Sequence, residues 1–152
     1  MADPIDAAIQ ETMRKLGIED AALDEDGALT LDVEGAPLLL RRGGEPVEGL
    51  WIHIGLGDAP EGSVAARFLM RAAFEGWSQG RMTVGLDRRS GQAWAGSMLP
   101  AVGITADLLE SALVSMIDAC DPLRERLAAG EVHLADDDAA ASQAPAAGAM
   151  RV

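Results

Sequence analysis

The sequence of 152 residues contains no tyrosine, one cysteine and two histidines. The lone Cys120 excludes an internal disulfide and indicates a reducing compartment, where it is expected to be a buried structural thiol. His53 and His133 have no spacing that is typical of a metal site. No general base, nucleophile and oxyanion donor assemble in the pattern. These absences predict a protein that is not an enzyme, with no catalytic residues, no metal and no cofactor.

Positive charge is also scarce. Twelve Lys and Arg oppose 25 Asp and Glu, for a net charge of −13. A chain this acidic repels phosphate backbones and anionic lipid, which disfavours nucleic-acid and membrane partners. The longest uncharged stretch, residues 90–106, is broken by Pro100 and several glycines, so no membrane insertion is expected. The segment MADPIDAAIQ has no basic region followed by an apolar one, and we therefore expect a cytoplasmic protein without a secretory signal.

Apolar periodicity predicts the element order α-β-β-β-α-β-β-α. The predicted strands cover residues 28–33, 38–42, 50–56, 82–86 and 92–99. The short connections between the first three strands require antiparallel pairing, so the fold class is α+β, a twisted antiparallel sheet packed by helices. The helices are predicted over residues 4–16, over residues 63–79 and from a cap at Thr105 to Asp121-Pro122, where proline ends the last one. Beyond a domain of residues 1–130, the acidic and Ala-rich residues 131–152 predict a disordered tail.

The stretch WIHIGLGDAPEGS, residues 51–63, has the strand–glycine–helix layout of a phosphate-binding loop. Gly55 and Gly57 are followed by Pro60 where a dinucleotide fingerprint needs a third glycine, and no lysine follows position 15. Asp58 and Glu61 would repel a phosphate. The sequence therefore favours a packing turn over a nucleotide site.

The helix over residues 63–79 carries more apolar surface than one packing face needs. Its polar residues Arg67, Arg71, Glu75 and Ser78 form a single narrow stripe, and apolar residues fill almost all the rest. One face suffices to cover a sheet. We expect the other face to pack against a second copy of the chain.

The predicted sheet also has apolar residues on its outward face. Leu39, Trp51 and Trp94 fall out of phase with the core positions, although an antiparallel sheet normally keeps one face polar. An exposed apolar patch of this kind marks an interaction site, here for extended apolar segments of another protein. The alternative is a sheet closed on both faces by the outer helices.

Residues 4–129, by order of elements, size and acidity, resemble the class I chaperones of bacterial type III secretion, the Tir-chaperone (CesT-like) family. GALTLDVEGAPLLL is similar to the first hairpin of the family and LWIHIGLGDAPEG to its third strand and following loop. FLMRAAFEGW and GRMTVGLDRRSGQAWAGSML are similar to the central helix and second hairpin. Many members carry an asparagine near the end of the central helix, and Glu75-Gly76-Trp77-Ser78 replaces it here. That departure is typical of a divergent branch or of a related adaptor group.

The resemblance implies a cytoplasmic homodimer that binds the N-terminal chaperone-binding segment of a secreted effector. It would keep this segment extended and secretion-competent and aid its delivery to the secretion apparatus, whose ATPase is a further candidate partner. Effector contacts are expected from Ile5, Ile9, Leu39, Trp51, His53 and Trp94. Dimer contacts are expected from Met70, Phe74, Trp77, Met82, Val84 and Met98.

Two other hypotheses stay open. The first is a general acidic export or adaptor protein that binds unfolded chains without secretion specificity. The second is a small ligand-binding α+β domain that uses the Gly55–Gly62 loop.

Overall fold

The computed structural model describes residues 3–80 and 82–131, and the elements occur there in the predicted α+β order. Apart from the last helix, each element begins and ends within about two residues of its predicted bounds. The helices and strands are α1 (Pro4–Lys15), β1 (Ala28–Val33), β2 (Ala36–Gly43), β3 (Gly49–Asp58), α2 (Ser63–Ser78), β4 (Thr83–Leu86), β5 (Gln92–Pro100) and α3 (Ala106–Ala128).

The strands form a single antiparallel sheet in the order β1-β2-β3-β5-β4. The first three are a meander, β5 lies next to β3, and β4 lies outside β5 at the edge of the sheet. Leu40 of β2 is paired with Ile52 of β3, and Ala95 of β5 is paired with Ile54; these four residues are at most 3% exposed. The alternation of side chains therefore gives the sheet one face that is buried along its central strands.

Helices α1 and α3 cover this buried face. Ile9 and Met13 of α1 pack in one cluster with Leu109 and Leu113 of α3 and with the buried strand residues. The hydroxyl of Thr12 donates a hydrogen bond to the carbonyl oxygen of Ala106 at 3.1 Å, which satisfies the one buried polar residue of the described part of the chain and ties α1 to the start of α3. Among the described residues, no helix is long and apolar enough to cross a membrane.

Helix α3 continues through Pro122 to Ala128, so the predicted break at Asp121-Pro122 is wrong. A proline inside a helix removes one backbone donor and crowds the preceding turn. The turns that follow it are held by tertiary contacts, because Leu127 is buried and Leu123 packs partly against the core. Packing of the helix face outweighs the local cost of the proline. The predicted tail, apart from Glu131, lies outside the described residues.

Helix α2 packs by one face only. Phe68 and Ala72 are buried, and a Cβ on Gly76 would lie 2.5 Å from the carbonyl oxygen of Met82. The guanidinium carbon of Arg126 on α3 lies 4.5 Å from the centroid of the Phe68 ring, a cation–π contact that joins the two helices. The opposite side of α2, with Met70, Phe74 and Trp77, is exposed in the single chain, so the helix has the second apolar face that the sequence predicted.

Candidate protein-binding surfaces

The sheet face opposite the buried one carries large side chains that remain partly accessible. Register places them side by side, since Trp51 is paired with Arg41 and Met98, and His53 is paired with Leu39. Trp51 is 38% exposed, Arg41 is exposed and the others are half-buried. We call this surface the open face; it comprises Leu39, Arg41, Trp51, His53, Trp94 and Met98.

Aromatic rings lie flat on the open face because glycines stand beneath them. A Cβ on Gly43 would come within 2.6 Å of Nε1 of Trp51, and one on Gly96 within 3.2 Å of Nδ1 of His53. The Trp51 and His53 rings are stacked, with centroids 6.0 Å apart and an interplanar angle of 19°. Rings that lie along the sheet offer a broad apolar platform to another chain. The sequence did not indicate the roles of Gly43 and Gly96. Each glycine lies beside an aromatic ring of a neighbouring strand, and that neighbour is known only once the strand pairing is known.

The electrostatics of the open face keep its centre uncharged. Burial lowers the pKa of His53 below its ordinary value of 6.5, and the positive charge of Arg41 lowers it further. The imidazole is therefore neutral near pH 7. Arg41 remains the charged group next to the Trp51–His53 stack.

Of the six predicted effector contacts, Leu39, Trp51, His53 and Trp94 come together on the open face. Ile5 and Ile9 do not join them, because they are 3% and 1% exposed and belong to the core beneath the opposite face. The apolar stripe of α1 is buried by packing against the rest of the chain. In the folded chain these two isoleucines hold α1 in place and present no surface to a partner.

The predicted dimer contacts are spread over three environments. Met70, Phe74 and Trp77 are 72%, 66% and 72% exposed and form one stripe along α2, which we call the α2 stripe. Val84 is half-buried on the edge strand β4, which contacts α2. Met82 is buried, with its Sδ 3.8 Å from Sγ of Cys120, and Met98 belongs to the open face. The structure therefore groups three of the six residues on an exposed helix face.

The lone cysteine is a core residue. Cys120 is 0% exposed, and burial raises the pKa of its thiol to about 12. The protonated thiol is a poor nucleophile, which agrees with the structural role expected for it. Within residues 3–80 and 82–131, no three His, Cys, Asp or Glu side chains converge in a way that could hold a metal ion. His133 lies outside this part of the chain.

The glycine loop borders an open cleft of about 540 Å³ between the end of β3 and α3. Glu34, Asp121 and Glu125 line the cleft. Its one lining cation, Arg124, contacts Asp121 at 3.4 Å and donates to the backbone oxygen of Glu34 at 3.4 Å. These carboxylates would repel a phosphate, so the electrostatics agree with the sequence in disfavouring a nucleotide there.

Fold and surfaces together define a small α+β domain with two accessible apolar surfaces, the open face of the sheet and the α2 stripe. The model of the Tir chaperone protein (CesT) family matches residues 7–124, most of the sequence, and the chain belongs to this family. No curated protein has a sequence that matches this chain significantly.

Solved structures show the same fold. A chain in the structure of the HopA1–SchA chaperone–effector complex aligns with a TM-score of 0.69 and 17% identity, covering 80% of this chain and 94% of its own. A chain in the structure of the Yersinia pestis type III secretion chaperone SycH, in complex with a stable fragment of YscM2, aligns with a TM-score of 0.60 and 21% identity. The alignment covers 78% of this chain and 98% of that one. A chain in the structure of the ExoT–SpcS complex of Pseudomonas aeruginosa aligns with a TM-score of 0.60 and 19% identity. The alignment covers 80% of this chain and 98% of that one. At these identities, the likeness concerns the fold.

Proposed function

We propose that this protein is a cytoplasmic type III secretion chaperone. It binds the N-terminal chaperone-binding segment of a secreted effector, keeps that segment extended, and acts by binding rather than by catalysis. Membership of the Tir chaperone family supports this function, as do folds shared with chains from chaperone–effector complexes. The observation that carries the proposal is the open face, where Trp51, His53 and their neighbours form an apolar platform on a sheet face that is usually polar.

The geometry of the open face suits an extended chain better than a folded one. A flat platform has no deep cavity for a compact ligand, whereas an extended segment presents every second side chain to it. Each apolar side chain that the platform removes from water contributes about 25 cal/mol per Å² of buried area. The outer edge of β1 also offers backbone groups for an added strand. A segment held in this way does not collapse into a fold of its own.

The α2 stripe supports a homodimer as the working form of the protein. Met70, Phe74 and Trp77 follow one another at helical spacing, so the same face of a second copy is self-complementary about a two-fold axis. Large aromatic and Met side chains are enriched at protein interfaces. The edge strand β4 lies beside α2 and extends this interface toward Val84.

The function is tested with the secreted protein encoded nearest to this gene. The two proteins are coexpressed, and the N-terminal segment of the secreted protein is followed by limited proteolysis. Wild-type chaperone should protect that segment, and Leu39→Glu or Trp51→Glu should abolish the protection because a charge then stands in the platform. Val114→Glu is the matched control, since Val114 is 54% exposed on α3, away from the open face.

Equal protection by wild type and by both open-face variants would overturn the proposed site.

A general adaptor for unfolded chains is the second candidate, supported by the same platform and by the net charge of −13. Reduced, alkylated lactalbumin distinguishes the two hypotheses. A secretion chaperone leaves it unprotected, and a general adaptor protects it as well as it protects the effector.

A further inference from the structure

The arginines at the end of β2 serve opposite faces of the sheet. Arg42 is clasped on the helix side, with Nη1 2.6 Å from Oδ2 of Asp3 and Nη2 2.7 Å from Oδ1 of Asp6. Arg41 lies on the open face, exposed, and no carboxylate within residues 3–80 and 82–131 forms an ion pair with it. One guanidinium therefore has a structural role in this chain, and the other is available to a partner.

The surroundings of Arg41 are apolar. It is paired with Ala28 on β1 and with Trp51 on β3, and Leu39 lies two residues earlier on the same face. Its charge extends across the platform, since it is one of the two causes that lower the pKa of His53. The open face thus holds a cation that has no ion-pair partner among the described residues, in a protein with a net charge of −13.

Within the paired residues of β1 and β2, the one carboxylate on the same side of the sheet lies at the other end of the ladder. Asp32 is paired with Pro37, four residues along β2 from Arg41, a separation of about 13 Å in an extended strand. Its Oδ1 already accepts a hydrogen bond from the backbone nitrogen of Gly35 at 2.9 Å. Asp32 therefore leaves the charge of Arg41 uncompensated.

We propose that Arg41 selects effector segments that carry an acidic side chain within the apolar stretch covering the open face. This inference rests on the proposed function and names the chemistry of the segment that the open face binds. A guanidinium binds a carboxylate through two parallel hydrogen bonds, and the neighbouring indole shields that pair from water. A wholly apolar segment would cover Arg41 without giving it a partner, which opposes binding.

This contact sets the register of the bound segment and adds to its affinity. The net charge of the protein repels acidic chains in general, so a carboxylate is favourable where it meets Arg41 and unfavourable elsewhere. A basic segment with one acidic residue inside its apolar stretch fits both conditions. The acidic residue then fixes which of its apolar side chains lie on Trp51 and His53.

The test uses three dye-labelled synthetic peptides with one alternating apolar sequence and Glu, Gln or Lys at the central position. Fluorescence anisotropy at low ionic strength gives their affinities for the full-length protein. We expect the Glu peptide to bind wild type about tenfold more tightly than the Gln peptide, and the Lys peptide to bind most weakly. Arg41→Gln should abolish the preference for the Glu peptide over the Gln peptide, and Arg41→Glu should favour the Lys peptide. Arg88→Glu, the same charge change in the β4–β5 turn, should keep the wild-type order.

Equal binding of the Glu and Gln peptides to wild type would overturn the inference, and so would a Glu preference that survives Arg41→Gln. The proposed function stands in either case if Leu39→Glu abolishes binding of the Gln peptide. If wild type binds none of the three peptides and the open-face variants still protect the effector, both proposals fail. Circular dichroism of each variant shows whether the fold is intact.

Discussion

The indole of Trp51 lies over Gly43, with Nε1 2.6 Å from the position that a Cβ on that glycine would take. Gly49, its partner across the β2–β3 ladder, has a different neighbour, since a Cβ there would lie 2.5 Å from the carbonyl oxygen of Leu99. A half-exposed ring can swing outward, whereas backbone inside a sheet cannot. The same substitution therefore has different consequences at the two glycines.

We predict that Gly49→Ala destabilises the protein by about 2 kcal/mol or more, because the sheet must open to accept the methyl group. Gly43→Ala should cost less than about 1 kcal/mol, because it only lifts the Trp51 ring. Urea denaturation followed by circular dichroism measures both. Similar losses at the two positions would show that the Trp51 ring is held as rigidly as the backbone.

The α2 stripe predicts the oligomeric state. Phe74→Glu combined with Trp77→Glu should convert the proposed dimer to monomers of 15.8 kDa, because like charges would then face each other across its two-fold axis. Light scattering after size-exclusion chromatography, at micromolar concentration, measures the mass. Val102→Glu is the control, since Val102 is 94% exposed at the turn before α3. A wild-type protein of monomeric mass, or a double variant that stays dimeric, would contradict the assignment.

The ion pairs of Arg42 with Asp3 and Asp6 predict that the stability difference between wild type and an Arg42 variant depends on pH. Its guanidinium, by hydrogen bonding, lowers the pKa of Asp3 below the ordinary 3.8. A carboxyl whose pKa is lower in the folded state stabilises the fold above its unfolded pKa and loses that effect as pH falls through the folded value. Wild type should therefore exceed Arg42→Gln in stability near pH 7, and the difference should shrink below pH about 3.8.

Urea denaturation of both proteins at pH 7 and at pH 3 measures this difference. Arg88→Gln, which removes an exposed arginine from the β4–β5 turn, controls for the change in net charge. If wild type and Arg42→Gln differ in stability by the same amount at both pH values, the contribution of Arg42 does not depend on ionised Asp3.

Burial of Cys120 predicts an unreactive thiol. With a pKa of about 12 and no exposure, it should not react with Ellman's reagent at pH 8 in the folded protein, and it should react within minutes in urea. Cys120→Ser should destabilise the protein by about 1–3 kcal/mol, because it buries a hydroxyl against the thioether of Met82. Rapid labelling of the native protein would show that the end of α3 opens readily.

The elements were predictable because two periods alternate cleanly along the sequence. Leu29, Leu31 and Val33 mark a strand by twofold alternation, and Ile5 and Ile9 mark a helix by fourfold spacing. Alternation says which side chains share a face, and it does not say which strands are neighbours. The position of β5 between β3 and β4 therefore had no signal in the sequence.

The open face was predictable only in part, because periodicity does not tell which packing partner a face meets. The stripe of Ile5 and Ile9 was correctly apolar, but α3 and the sheet cover it within the chain. Pro122 followed the local rule for ending a helix, and the burial of Leu127 overrode that rule. Trp51 and Trp94 were identified because they are out of phase with the core positions of their strands, which places these large aromatic side chains on the outward face of the sheet.

The pairing of β3 with β5 has a consequence for how this protein is made. Gly49 pairs with Pro100 and Asp58 with Gln92, so the middle seam of the sheet closes only after α2, β4 and β5 have left the ribosome. The part of the apolar underside of the β1–β3 meander that α3 covers stays exposed until that helix follows. Non-local pairing of this kind slows folding and prolongs the exposure of apolar surface. A protein that shields the unfolded segments of others thus passes, during its own synthesis, through a stage in which it needs shielding itself.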